Sequence, residues 1–180
     1  MRLATLARYA GLVTLGVLLA AQLTACGSAT SEPSTASGSQ PLPSGTGRIA
    51  DLGFTATTLD GDTFDGNTLA GKPAVLWFWA PWCPTCRAQI GNVSALAEQY
   101  AGEVAVVAIG GLDGTAAIEA VAADIPSVTH LIDPDAKVWR HFGVSAQSSY
   151  TVIAADGEIL SEGYLDDEAL NALVAQLAPA

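Results

Sequence analysis

The stretch "WFWAPWCPTCRAQ", residues 77–89, decides the fold because it joins an apolar run to two cysteines that are separated by two residues. The apolar run extends over residues 72–80, which is typical of a strand buried on both faces of a sheet. Pro84 then stands where the first turn of a helix accepts proline, and apolar residues recur on one helical face up to Leu96 and Ala97. The stretch therefore predicts a buried strand, then the cysteines, then a helix.

Two closely spaced thiols can form a structural disulfide, part of a metal site or a redox pair. A disulfide across two residues closes a small ring that contributes only about 2 kcal/mol. A metal site needs further ligands, whereas the chain has no second cysteine pair and only His130 and His141 far along the sequence. Cys83 falls where the strand ends and the helix begins, so the N–H groups of the first turn would stabilise its thiolate. Cys86, one turn later, could then attack a mixed disulfide on Cys83, and this placement favours the redox pair.

The remaining patterns predict a mixed sheet between helices. Strands are expected at 104–111 and 128–133, and two hairpins at 54–66 and 150–163, the latter about Asp156–Gly157. Helices are expected at 85–102, 113–124, 134–143 and 166–178.

The N-terminus has the pattern of an export signal. Arg2 and Arg8 are followed by an uncharged apolar run at 9–21. Residues 23–26, "LTAC", resemble the lipobox of bacterial lipoproteins, which implies cleavage after residue 25 and a lipid on Cys26. The alternative is a plain secretory signal with a chance cysteine. We expect a lipoprotein signal peptide at 1–25, an anchor cysteine and flexible Ser/Gly/Pro/Thr tether at 26–47, and one folded domain at 48–180.

The charge of the chain excludes some partners. The formal net charge is −11, and removal of the two arginines of the signal would make it more negative. Such a protein does not suit nucleic acid or anionic lipid head groups.

The segment "FWAPWCPTC", residues 78–86, resembles the active-site segment of the thioredoxin superfamily. The wider pattern at 57–83 and 142–159 is similar to the exported TlpA/ResA/DsbE group, and in particular to DsbE/DsbF-type proteins of high-GC Gram-positive bacteria. The resemblance covers residues 53–178. It implies a thioredoxin-like α/β fold, with a central mixed β-sheet flanked by helices and an N-terminal β-hairpin.

The same resemblance implies roles for single residues. Cys83 would be the attacking cysteine and Cys86 the resolving one, and no bound cofactor is needed because their disulfide carries the two electrons. The residues expected to shape the site are Trp82, Pro84, Thr85 and Gln89. The cis-proline of the superfamily would fall at Ser148, counted from Val144 and back from Asp156. We expect a cis Gln147–Ser148 bond, because the flanking spacing is kept, and a substrate-binding loop at these two residues.

Departures from the family pattern suggest the direction of electron flow. The buried carboxylate of thioredoxin would align at Trp77, and a glutamate of ResA-like proteins would align at Gln89. Loss of nearby negative charge favours thiolates and the reduced form, which makes the disulfide a better oxidant. We therefore predict an oxidoreductase that forms disulfides in exported proteins. A reductant of disulfides such as those of apocytochrome c, and a non-enzymatic Cu(I) or zinc metallochaperone, are the alternatives.

A peroxidase is excluded because the threonine that peroxiredoxins need three residues before the attacking cysteine is replaced by Ala80. The expected partners are exported proteins with cysteines, an unidentified membrane or extracellular redox partner, and the membrane itself through the lipid on Cys26. We expect a monomer that works outside the cytoplasm and binds no nucleic acid.

Overall fold

The computed structural model describes residues 45–178. The predicted signal at 1–25, the anchor Cys26 and nearly all of the tether lie outside the described residues. Within the described range, no helix has the length and apolar character needed to cross a bilayer.

The described chain alternates strands and helices after an N-terminal hairpin. The strands are β1 Thr55–Thr58, β2 Thr63–Asp65, β3 Ala74–Trp79, β4 Ala105–Gly111, β5 Thr129–Asp133, β6 Ser149–Ile153 and β7 Ile159–Gly163. The α-helices are α1 Pro84–Gln99, α2 Thr115–Ala122, α3 Lys137–His141 and α4 Asp167–Leu177, and a short 3-10 turn covers Gly66–Leu69.

The seven strands form one mixed sheet in the order β2-β1-β5-β4-β3-β6-β7. Strands β3, β4 and β5 are parallel, and β3 is fully buried, as its apolar sequence predicts. The N-terminal hairpin extends the sheet by pairing β1 antiparallel with β5, a pairing that the hairpin sequence does not indicate. This thioredoxin-like α/β architecture confirms the predicted fold class.

The sheet separates two apolar clusters. The cluster on one face contains Cys83 and Cys86 together with side chains of α1, α2 and α4, whereas α3 packs on the other face. Two tryptophans lie close to the end of β4, one on each face. A Cβ added at Gly110 would come within 3.0 Å of Trp79, and one at Gly111 within 2.7 Å of Trp139. The glycine pair therefore lets both indoles pack directly on the backbone.

The first described residues bind along the edge strand β7 and the turn that precedes it. Thr46 N–H donates to the Ile159 carbonyl, and Ile159 N–H donates to the Arg48 carbonyl, both at 2.8 Å. Arg48 also forms an ion pair with Glu162. Residues 45–50 are thus attached to the β6–β7 hairpin before the chain reaches β1.

The elements agree with the sequence predictions to within a few residues. Helix α1 ends at Gln99, three residues before Gly102, whose φ of 84° fits the left-handed turn that follows. His130 lies in β5 and His141 at the end of α3.

Candidate active site

The two cysteines lie where β3 passes into α1. Cys83 is the N-cap of α1, Pro84 occupies the first turn, and the Cys86 N–H donates to Cys83 Sγ at 3.3 Å. Both side chains are buried and both are free thiols in this structure. The structure therefore places Cys83 at the helix N-terminus, where the sequence predicts it.

The thiol of Cys86 is held in its protonated form. Burial, followed by the contact with Cys83, raises the pKa of Cys86 from 9.0 to about 12. Polar contact with the Ala80 backbone and with the Ser148 hydroxyl acts in the opposite direction and lowers this pKa. The deeper sulfur is therefore neutral at physiological pH, and its thiolate is costly to form.

The apolar cluster that holds the cysteine pair also holds an indole that is hydrogen-bonded to a serine. Trp77 Nε1–H donates to Ser148 Oγ at 2.7 Å, and both side chains are buried. The Gln147–Ser148 peptide bond is cis, which confirms the sequence prediction. This hydrogen bond joins Trp77 directly to Ser148, so that two positions at which the sequence departs from the superfamily pattern are in contact.

Aromatic rings surround this hydrogen bond. Trp77 stacks on Trp79 with ring centroids 5.8 Å apart and on Tyr150 with centroids 6.4 Å apart. Tyr150 faces Trp77 across the β3–β6 ladder. Burial raises the pKa of Tyr150 well above its usual range, and the charge of Asp167 raises it further, so this hydroxyl keeps its proton.

Gln89 lies one turn of α1 beyond Cys86 and is buried. Its Nε2 donates to the Leu165 carbonyl at 2.8 Å, which links α1 to the segment before α4, and its Oε1 makes no hydrogen bond. A neutral amide therefore stands on the buried face of the helix that carries the cysteines.

The outer side of the site combines exposed and anchored groups. Trp82 is 53% exposed, and its Nε1–H donates to the Leu112 carbonyl at 3.1 Å. Pro84 and Thr85 are exposed between the cysteines, and Gln147 is half-buried beside Ser148.

The structure brings Cys83, Cys86 and Ser148 together. Sequence reasoning missed Tyr150, whose place opposite Trp77 depends on strand register.

No group of three or more histidine, cysteine or acidic side chains in residues 45–178 is placed to hold a metal ion. His130 is buried and its Nε2 bonds to the Ile125 carbonyl at 2.9 Å, while the His141 Nε2 bonds to the Asp51 carbonyl at 2.7 Å. Burial lowers the pKa of His130. Both histidine side chains are thus hydrogen-bonded to backbone carbonyls.

Comparison with known proteins gives a consistent assignment. The model of the Redoxin family matches residues 37–177. The soluble secreted antigen MPT53 of Mycobacterium tuberculosis is 41% identical over 110 residues, which cover 59% of this chain. The matched segment spans only 61% of the length of that antigen.

Two solved structures share both fold and sequence with the chain. The MTB protein DsbF, described in mixed oxidised and reduced forms, is 40% identical with a TM-score of 0.66, over 71% of this chain and 96% of that one. A secreted Mycobacterium tuberculosis disulfide oxidoreductase homologous to E. coli DsbE is 36% identical with a TM-score of 0.64, over 70% of this chain and 97% of that one.

Proposed function

Because the chain belongs to the Redoxin family, whose model matches most of its length, we propose that it is a thiol-disulfide oxidoreductase that oxidises the thiols of exported proteins. The class of activity is supported by the family and by the relatives described as disulfide oxidoreductases. The oxidising direction and the place of action outside the cytoplasm are more specific than this class of activity, and they are proposed on separate grounds.

The oxidising direction is supported by the uncharged groups that surround Cys86, the more deeply buried of the two cysteines. The groups that bear on Cys86 are the Cys83 sulfur, the Ala80 backbone and the Ser148 hydroxyl, with Trp77 beneath Ser148. The next buried polar group along α1 is the amide of Gln89. No carboxylate is among the groups that act on Cys86. A cysteine pair without a negative charge in contact with it is favoured in the reduced form, which makes its disulfide a better oxidant.

In the proposed cycle, a substrate thiolate attacks Cys83 Sγ of the oxidised pair. The Cys83–Cys86 bond breaks, and Cys86 Sγ leaves with the electron pair. A second substrate thiolate then attacks the substrate sulfur of the mixed disulfide, and Cys83 leaves as a thiolate. The substrate gains one disulfide, and the enzyme holds the two electrons as a reduced pair.

A redox titration of the full chain against glutathione tests the direction. We expect a reduction potential well above the approximately −270 mV of thioredoxin. A potential at or below that value would overturn the oxidising direction and favour the reductant of disulfides such as those of apocytochrome c.

We also propose an extracytoplasmic place of action with a lipid anchor at Cys26. Secretion of the relatives supports export. The anchor rests on the lipobox-like "LTAC" at 23–26. Cys26→Ser should release the protein from membranes and leave its redox potential unchanged. Retention of the variant on membranes would contradict lipid anchoring and would point to an uncleaved signal helix.

A further inference from the structure

The hydroxyl of Ser148 lies at the base of the site with a fixed orientation. Ser148 immediately precedes β6, and Ser149 pairs with Phe78 near the end of β3. The chain leaves β3 there for Cys83, so the start of β6 lies beside the strand end that delivers the cysteines. Ser148 is buried, and its oxygen accepts the Trp77 indole N–H at 2.7 Å.

The hydrogen-bonding capacity of the Trp77 indole and of the Ser148 hydroxyl determines which further hydrogen bonds Ser148 can form. An indole N–H can only donate, whereas a serine hydroxyl has one donor and two acceptor lone pairs. Since the Trp77 bond uses an acceptor position of Ser148, the hydroxyl hydrogen stays available to a third group. The two groups near it are the Cys86 thiol and the Tyr150 hydroxyl, and neither forms a hydrogen bond of adequate geometry with Ser148 in the reduced protein.

The sulfur of Cys86 becomes the stronger acceptor once it carries charge. Hydrogen bonds to ionised acceptors are roughly twice as strong as those between neutral groups. The titratable groups facing Cys86 are Cys83 on α1 and Tyr150 on β6, and neither supplies a positive charge. A thiolate formed at this buried position therefore depends on neutral donors, and Ser148 is the side-chain donor positioned for it.

We propose that the Ser148 hydroxyl is a catalytic hydrogen-bond donor to the departing Cys86 thiolate, and that the Trp77 indole positions it. When a thiolate attacks Cys83, the disulfide bond breaks and Cys86 Sγ takes the electron pair. Ser148 keeps its proton and donates a hydrogen bond to that sulfur. The reverse step, attack of the Cys86 thiolate on a mixed disulfide, passes through the same transition state.

This inference rests on the proposed exchange at Cys83 and Cys86, but it does not depend on the direction of electron flow. Stabilisation of charge in the transition state accelerates opening and closure of the disulfide equally. At neutral pH the reduced enzyme holds Cys86 as a thiol, so loss of the hydroxyl should change the rates much more than the potential. A damaged fold would instead shift the potential as well.

The test is stopped-flow fluorescence of the full chain, oxidised and mixed with dithiothreitol, in wild type, Ser148→Ala and Ser148→Thr. We expect opening and closure to slow by the same factor of about ten or more in Ser148→Ala, as for loss of a hydrogen bond to a charged group. The potential should stay unchanged, and Ser148→Thr, which keeps a hydroxyl, should recover most of the rate.

Ser149→Ala is the matched control in the same loop. The Ser149 hydroxyl donates to the Ala146 carbonyl and does not face the cysteines, so its removal should leave the rates unchanged. An equal loss in Ser149→Ala would overturn the inference, as would unchanged rates in a folded Ser148→Ala. A wild-type protein without exchange activity would instead overturn the proposed function.

A second pair of variants tests the positioning role. Trp77→Phe removes the indole N–H that holds Ser148, while Trp79→Phe removes an N–H that makes no hydrogen bond. Both lose the same volume from the same stack. Slower exchange in Trp77→Phe than in Trp79→Phe, at similar folded fractions by circular dichroism, supports the inference, and equal rates would contradict it.

Discussion

The two faces of the sheet differ in how completely their buried polar groups are hydrogen-bonded. On the face that carries α3, the buried Asp133 carboxylate accepts the N–H groups of Lys137, Val138 and Trp139 at 2.7, 2.9 and 3.1 Å. The Trp139 indole also finds a partner, the Ile109 carbonyl at 3.2 Å.

On the cysteine face, the side chains with a buried polar atom that makes no hydrogen bond include Trp79 (Nε1), Gln89 (Oε1) and Tyr150 (the hydroxyl), whereas on the α3 face Thr151 Oγ1 also makes none. Buried polar groups are normally paired because an unpaired one costs about 1–3 kcal/mol. The α3 face thus satisfies the buried Asp133 carboxylate in full, whereas the cysteine face holds several unpaired polar atoms, among them the Tyr150 hydroxyl close to Cys86.

The largest effect on stability should come from removing the Asp133 carboxylate on the α3 face. Asp133→Ala leaves three N–H groups of α3 without their acceptor, which should lower the free energy of unfolding by about 4 kcal/mol. Denaturant titration measures this change, and the redox potential should stay the same. Asp135→Ala removes a neighbouring acid whose ion pair with Lys137 is exposed, so it should cost about 0.5 kcal/mol or less. Equal losses in the two variants would contradict the role given to Asp133.

The second effect is a loss of stability at alkaline pH, caused by release of the proton from Cys86. Its folded pKa is raised to about 12, so the reduced protein binds a proton that the unfolded chain releases above pH 9.0. The stability due to this thiol is complete below pH 9.0 and is lost as the pH rises towards 12. The loss should amount to about 3 kcal/mol by pH 11.

Unfolding of the reduced protein followed from pH 8 to pH 11 measures this loss. Cys86→Ala should show a flatter alkaline limb, because it lacks the thiol. An equally steep limb in that variant would assign the pH dependence to other groups, of which Tyr150 is the nearest with a raised pKa.

A smaller effect is expected from placing a charge on the cysteine face. Gln89→Glu puts a carboxylate one turn beyond Cys86, where it disfavours thiolates and makes the disulfide less oxidising. The potential should fall by about 30 mV, which corresponds to about 1.4 kcal/mol for two electrons. Gln99→Glu makes the same change at the exposed end of α1 and should leave the potential unaltered. Equal potentials in the two variants would mean that position 89 does not influence the cysteines.

Local sequence predicts most of the fold and the reactive pair. The apolar run at 72–80, the cysteines at a strand end and Pro84 in the first helical turn are all local signals, and the structure places each as expected. The cis Gln147–Ser148 bond was also predicted, because the residue spacing on both sides of it matches that of the superfamily.

The contacts that the sequence did not predict depend on distant parts of the chain. The Trp77–Ser148 hydrogen bond joins residues 71 positions apart and requires the register in which Trp77 faces Tyr150. A one-residue slip of β6 would turn Tyr150 to the opposite face of the sheet. The attachment of β1 to β5 likewise depends on how the N-terminal hairpin docks, because both hairpin strands are short and only partly buried.

The attachment of residues 45–50 to the β6–β7 hairpin has a mechanical consequence. A pull on the chain ahead of residue 45 first loads the backbone hydrogen bonds of Thr46 and Arg48 with Ile159, and that of Ala50 with Gly157. These bonds connect to β7 at the edge of the sheet, and β6 lies between β7 and the strand that carries the cysteines. Tension on the N-terminus therefore enters the domain through its edge, and at least one whole strand separates it from β3 and the reacting sulfurs.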